Sequence, residues 1–328
     1  MILSRDSMQA LEARTIARGI AADVLMETAG AKLARCVTQF YPRPGLLVCY
    51  TGKGHNAGDA FVAARHLAAA GWRVLVRSAC DAAALAPLSR EKFNLLRPAV
   101  LRGPFQPSVP QEGPLVQLDA LVGLGARGRL RDPLASLAAE MNTLRREAGA
   151  HTVAVDFPSG LDPDTGAPGD PCVVADVTTT IGFAKTGLVA DAATDFVGRL
   201  AVLEIPDFVA EEHGGPEVLT AASLRRHWPP RAFDTNKGMC GRVVILAGSR
   251  GTLGAAYLAT AGAVRGGLEG SALAPSNATA GPSTTPGTNS PCQLVKDSTA
   301  AAIGGPQTEV KATTAVLIAR PRASSSGG

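Results

Sequence analysis

The chain holds 328 residues, of which 46% are hydrophobic and 4% aromatic, enough for one large or two ordinary domains with an ample core. Its net charge of +4 is spread along the sequence without basic runs or interleaved aromatics, which argues against nucleic acid as a partner. No stretch has the length and apolar character of a membrane span, and residues 1–10 lack the apolar core of a secretory signal, so a soluble, cytoplasmic protein with no membrane partner is expected.

Between Ser7 and Val37 the residues Leu11, Ile16, Val24, Leu25, Ala29 and Leu33 recur at roughly helical spacing, with a break at Gly19. They predict an N-terminal helical layer. Strands are then predicted at Leu46–Tyr50, Arg73–Arg77, Leu115–Leu118, Thr152–Val155 and Ala175–Thr180, with helices at Gly58–Ala70, Ser89–Leu96 and Pro133–Ala148. That alternation is the pattern of an α/β protein: a three-layer αβα, Rossmann-like, mostly parallel sheet with helices on both faces. Cys36, Cys49, Cys80, Cys172, Cys240 and Cys292 form no C-x-x-C pair or metal spacing, consistent with a reducing compartment.

Three loops at predicted strand ends carry glycines and a carboxylate. The first is Tyr50-Thr-Gly-Lys-Gly-His-Asn-Ala-Gly-Asp59, where Gly52, Gly54 and Gly58 lead into a helix start whose free N–H groups suit an anion. Taken alone it reads equally as a nucleotide site or as a plain tight turn, with Asp59 as a helix cap. The second is Leu118-Asp-Ala-Leu-Val-Gly-Leu-Gly-Ala-Arg-Gly-Arg129, and the third is Val155-Asp-Phe-Pro-Ser-Gly-Leu-Asp-Pro-Asp-Thr-Gly166. Strand carboxyl ends line the ligand crevice of open α/β sheets, so Asp59, Asp119 and Asp156 are expected to converge on one site. Asp162 and Asp164 are expected to shape a turn.

The pattern dissolves around residues 213–233, which read as a linker. A second unit starts near Lys237 with Arg-Val-Val-Ile-Leu-Ala-Gly-Ser followed by a glycine turn and an alanine-rich stretch. After Gly267 the composition turns to Ser, Thr, Pro, Gly and Ala, which predicts a disordered tail over 268–328.

Gly-Lys-Gly-His-Asn-Ala-Gly-Asp, Asp-Ala-Leu-Val-Gly-Leu-Gly, Val-Asp-Phe-Pro-Ser-Gly-Leu-Asp and Thr180-Ile-Gly-Phe-Ala-Lys-Thr-Gly-Leu188, in this order and spacing, resemble the bifunctional NAD(P)H-hydrate repair enzymes. The resemblance implies a complete epimerase-like domain over 1–212, which interconverts the R and S hydrates of NADH and NADPH. It also implies the start of a ribokinase-like, ADP-dependent dehydratase domain over 234–267. Carried over by position, substrate contacts fall on His55, Asn56, Ala57, Gly58 and Asp59, and on Gly123, Leu124, Gly125, Ala126, Arg127, Gly128 and Arg129. The catalytic carboxylate falls on Asp156 and a potassium site on Asn56, Asp119 and Ser159. Lys185 and Ala255 are further positions the resemblance brings in, Lys185 reading equally as a solvated lysine.

The resemblance is not perfect. His55, Ala57 and Ala60 stand where the family pattern has Asn, Gly and Gly, and Ala57 would be strained if its position required a positive φ. The ADP-binding glycine-rich loop of the dehydratase has no counterpart, so the second unit is expected neither to close as a domain nor to dehydrate. A non-catalytic binding module on the same fold and a non-functional fragment are the other readings, and a homo-oligomer formed through the N-terminal helices is compatible with all three.

Overall fold

The computed structural model describes residues 1–96, 98–101, 103–105, 113–125, 128–209, 216–227, 233–234, 243–247, 253–265, 273–274 and 315–318. The chain divides into two units, Met1–His227 and Trp228–Gly328. In the first unit, a short strand β1 (Ile2–Leu3) leads to Ser4, whose hydroxyl accepts from the N–H of Ser7 at 3.2 Å and so caps helix α1 (Arg5–Ala17). Gly19, at φ 101°, ends that helix, and α2 (Ala22–Phe40) follows. Met8, Leu11, Leu25 and Ala29 of this pair pack with Ile205 and Phe208. Ile16 and Val24, expected in that core, are 40% and 50% exposed: they keep helical spacing but lie off the stripe set by Met8 and Leu11.

The chain then alternates as expected: β2 (Leu46–Thr51), α3 (His55–Ala69), β3 (Arg73–Ser78), α4 (Pro87–Leu96), β4 (Ala99–Val100), β5 (Leu115–Ala120), α5 (Leu134–Glu147), β6 (His151–Val155) and β7 (Val177–Ile181). Beyond it lie β8 (Ala184–Lys185), α6 (Thr194–Val197), β9 (Arg199–Leu203) and α7 (Ala221–His227). The last of these forms inside the stretch that reads as a linker. Seven strands make one sheet in the order β4-β3-β2-β5-β6-β7-β9, every neighbour parallel. β4 and β9 carry no sequence signal because they are edge strands: β4 has two exposed residues, and β9 is mostly half-buried.

Alternation along β2 shows how the layers form. Leu47 and Cys49 face a core built with Leu33, Val37, Phe61 and Leu67 of α2 and α3, whereas Leu46, Val48 and Tyr50 face Leu137, Ala138, Met141 and Leu144 of α5. A strand buried on both faces is therefore an unbroken apolar run. Cys36, Cys49, Cys80 and Cys172 are free, and burial pushes the thiols of Cys49 and Cys172 up to about 12, which makes them packing residues rather than nucleophiles.

In the second unit, β10 (Val243–Leu246), α8 (Leu253–Arg265), β11 (Leu273–Ala274) and β12 (Ala315–Ile318) are described, with β11 parallel and β12 antiparallel to β10. Ile245, Ala247 and Ala256 form a small buried cluster. β11 and β12 fall inside the predicted tail, and the other residues of 268–328 lie outside the described ones. Among the described residues no helix is long and apolar enough to cross a membrane.

Candidate functional site

The sheet order places a switch point between β2 and β5, because the chain runs from β2 outward through β3 to β4 and returns on the other side of β2 as β5. Connections diverge at such a point and open a crevice at the strand carboxyl ends. Gly52 closes its floor: its N–H donates to the carbonyl of Ala120 at 3.1 Å, and a Cβ there would stand 2.0 Å from the carbonyl oxygen of Leu121.

Helix α3 starts at His55 rather than at Gly58, so three residues predicted in the turn, His55, Asn56 and Ala57, belong to its first turn. Gly58 is needed for close packing, since a Cβ would meet the Met26 Sδ at 2.5 Å. Ala57 and Ala60 are fully buried inside the helix. The strain expected at Ala57 does not arise, because among the described non-glycine residues only Asp156 has a positive φ, at 72°.

That residue stands just past the end of β6. Its N–H donates to the Thr179 carbonyl at 2.8 Å, and its Oδ1 accepts from the Ile181 N–H at 3.0 Å and from the Nζ of Lys185. Lys185 is wholly buried and not solvated; its ammonium also donates to Thr180 Oγ1 at 3.1 Å and to the Ile181 carbonyl at 3.0 Å. β8, which carries Lys185, pairs with β1 at the chain's own start, Leu3 opposite Lys185. Strained backbone held by a buried ion pair at a strand end is a common mark of a functional residue.

Asp119 lies within β5, beneath the crevice rather than on its wall, and is fully buried. Its carboxylate accepts from the Ser159 N–H at 2.7 Å, the Ser159 hydroxyl at 2.6 Å and the Leu121 N–H at 3.3 Å. Burial pushes its pKa up to about 6 against the pull of those hydrogen bonds. Asn56 directs its Nδ2 at two carbonyls, Val122 at 2.7 Å and Val155 at 3.0 Å. Here Asp119, Ser159 and Asn56 bond to one another's loops and to the main-chain carbonyls of Val122 and Val155, and their oxygens are the donor chemistry that fits a hard monovalent cation, by extension from calcium and magnesium. Among the described residues no cluster of three His, Cys, Asp or Glu exists to hold a transition metal.

Above this floor opens a cleft of about 600 Å³, lined among others by His55, Asn56, Asp59, Gly123, Leu124, Gly125, Asp156 and Lys185. These are the sequence-predicted residues that the fold brings together. Ala57 and Gly58 turn into the packing between helices, and Gly128 and Arg129 are exposed away from the cleft, Arg129 donating to the Asp170 carbonyl at 3.0 Å. Ala126 and Arg127 lie outside the described residues, and Ala255 is exposed on α8 of the second unit. Sequence reasoning missed Glu12, which lines the cleft from α1. The signal was there: Glu12 shares a face with Met8, Leu11 and Thr15, all buried, so a carboxylate occupies a core-facing position of an amphipathic helix. Burial raises the pKa of both Glu12 and Asp59, and the charge of Asp156 adds to it, with Lys185 opposing.

The profile of the family described as YjeF-related protein N-terminus matches residues 22–187. The chain is 37% identical over 278 residues to a protein of Methanopyrus kandleri named bifunctional NAD(P)H-hydrate repair enzyme Nnr, covering 82% of this chain and 53% of that one. A protein of the same name from Pyrobaculum aerophilum is 36% identical over 260 residues, 76% of this chain and 50% of its own. This chain therefore spans about half the length of the curated relatives it matches. The crystal structure of yeast ynu0 aligns with a TM-score of 0.49 at 21% identity, over 57% of this chain and 82% of that one.

Proposed function

Because this chain belongs to the family of YjeF-related protein N-termini, we propose that its cleft interconverts the R and S hydrates of NADH and NADPH as a step of nicotinamide nucleotide repair. The observation that carries the reading is the buried Asp156–Lys185 pair, set in the wall of a cleft large enough for a nucleotide end. In such a hydrate a ring carbon next to the ring nitrogen bears the hydroxyl. Asp156 handles the proton at that oxygen: the C–O bond breaks with its electron pair leaving on water, and the nitrogen lone pair forms a C=N bond. Water then adds to the other face, the C=N pair returns to nitrogen, and the proton returns to a carboxylate. Nothing is oxidised or reduced. The cationic ring of the intermediate would sit among Glu12, Asp59 and Asp156, where carboxylates stabilise it. The N-terminus of α3 and the Gly123–Gly125 backbone offer N–H groups to the diphosphate.

Asn56, Asp119 and Ser159 are the residues that would hold a potassium ion. Its charge would tie the loops bearing Asn56 and Ser159 together beneath the substrate. The ADP-dependent half of the repair is not assigned to the described residues of the second unit. Incubating the chain with the R hydrate and an independent S-specific dehydratase is expected to return reduced cofactor well above the spontaneous rate; recovery at the spontaneous rate overturns the reading. Exchanging potassium for choline is expected to lower both that rate and the melting temperature, and an unchanged pair of values overturns the ion assignment.

A further inference from the structure

Exchange between epimers has a stereochemical requirement that one fixed carboxylate does not meet. Water must leave one face of the ring and add to the other, yet Asp156 is locked by its backbone, by the Ile181 N–H and by Lys185. A group so held serves one face well. The second group should come from a different wall of the cleft, and α1 supplies one. Glu12 reaches the cleft from the N-terminal helical layer, whereas Asp59 belongs to α3 with Asn56, beside the strand ends. Among the described residues, no ion pair involves the Glu12 carboxylate, in contrast to Asp156.

Resting on the epimerase reading above, we propose that Glu12 is the second proton-transferring residue of the cleft, acting on the ring face turned away from Asp156. In one direction the Glu12 carboxylic acid gives its proton to the hydroxyl, the C–O bond breaks, and water leaves with the electron pair as the ring nitrogen forms the C=N bond. On the opposite face the oxygen of a second water bonds to the same carbon, the C=N pair returns to nitrogen, and the proton of that water passes to the Asp156 carboxylate. The return reaction runs the same steps backwards: after each turnover the proton sits on Asp156, which sets the pair for the other epimer, and proton exchange with solvent resets it for the first. Glu12 lines the cleft together with His55, Asp59, Asp156 and Lys185, and burial favours its protonated form. Two carboxyl groups whose surroundings differ in this way divide naturally into acid and base.

The test follows the ring oxygen in water enriched in ¹⁸O, using the full chain and each purified epimer, with the configuration read by chiral chromatography. In the unaltered chain, label should enter with inversion. In Glu12→Gln, inversion is expected to fall about a hundredfold or more, while the epimer whose hydroxyl faces Asp156 still exchanges its oxygen with retention. Glu12→Asp should restore part of the inversion. Inversion at the unaltered rate in Glu12→Gln, or equal loss of inversion and retention with an unchanged melting temperature, overturns the role of Glu12. If Glu12→Gln does not fold, Glu12→Asp decides: a retention-to-inversion ratio equal to that of the unaltered chain overturns the role. Absence of any label uptake above background in the unaltered chain overturns the epimerase reading itself.

Discussion

Two loops frame the cleft, and they solve different problems. The β2–α3 junction looks in sequence like a flexible phosphate cradle, yet its glycines serve close packing: Gly52 against the Leu121 carbonyl and Gly58 against Met26. The loop after β6 has the opposite character. It places a non-glycine residue at φ 72° and fastens it with a buried lysine. The first loop is shaped by what cannot fit beside it, the second by a charge pair that compensates strain.

The largest expected effect tests the second loop. Asp156→Asn tolerates the left-handed backbone and should lower epimer interchange by about 10²–10⁴. It also leaves Lys185 buried without a counterion, at a cost of about 3–5 kcal/mol. Combining it with Lys185→Met should recover part of the stability and none of the activity, a separation that melting curves and rates on the four chains would expose. If Asp156→Asn were as stable as the unaltered chain, the ion pair would not be what holds this loop.

The first loop should answer to size rather than charge. Gly52→Ala sets a Cβ 2.0 Å from a backbone oxygen that has no rotamer to yield, and a loss at or beyond the upper end of about 1–3 kcal/mol is expected. Gly58→Ala meets the flexible Met26 side chain and should cost less. Gly54→Ala, with nothing within 4 Å, should stay within about 0.5 kcal/mol. Denaturant unfolding of the three variants gives the ranking, and equal losses would refute the packing account.

How far the sequence led differs between the loops for the same reason. Strand ends, glycines and carboxylates are local signals, so the sheet, the switch point and the residues His55, Asn56, Asp59, Gly123 and Asp156 were legible. Lys185 was ambiguous because its burial depends on Asp156 and Thr180, and on β1 across the chain. Asp119 reads as a cleft residue because the strand predicted over Leu115–Leu118 stops before it, while pairing to Tyr50 and Ala154 carries the strand on through Ala120. Helix α3 begins three residues before its predicted start because glycines mark turns and tight helix packing alike.

His55, Ala57 and Ala60 stand where the family pattern has Asn, Gly and Gly, a departure that matters only if this stretch needs the backbone freedom of glycine. Ala57 and Ala60 are helical and fully buried, so Ala57→Gly and Ala60→Gly should each cost about 0.5–1 kcal/mol through helix propensity alone. No gain in epimerisation should accompany that loss; a faster and equally stable double variant would mean that the loop needs freedom the helix denies it.

The smallest effect lies at the far end of the second loop. Asp162 Oδ1 accepts from the N–H groups of Asp164 and Thr165, at 3.0 and 2.8 Å, and from the Thr165 hydroxyl at 2.9 Å. The neighbouring Asp164 in turn accepts from the N–H of Arg5 at 2.8 Å. The turn therefore connects the loop that carries Asp156 to the chain's first helix. The hydrogen bonds from Thr165 lower the pKa of Asp162. A carboxylate with a lowered folded-state pKa adds stability above its unfolded value of about 3.9, and that increment disappears as pH falls through the folded value. The group is exposed, so the increment should be under about 1 kcal/mol. Asp162→Ala should thus melt slightly below the unaltered chain at pH 7, with the gap narrowing below about pH 4 as the native carboxylate is protonated. A gap that stays constant down to pH 2 would assign the difference to the shape of the turn alone and remove charge from the description of this second loop beyond Asp156.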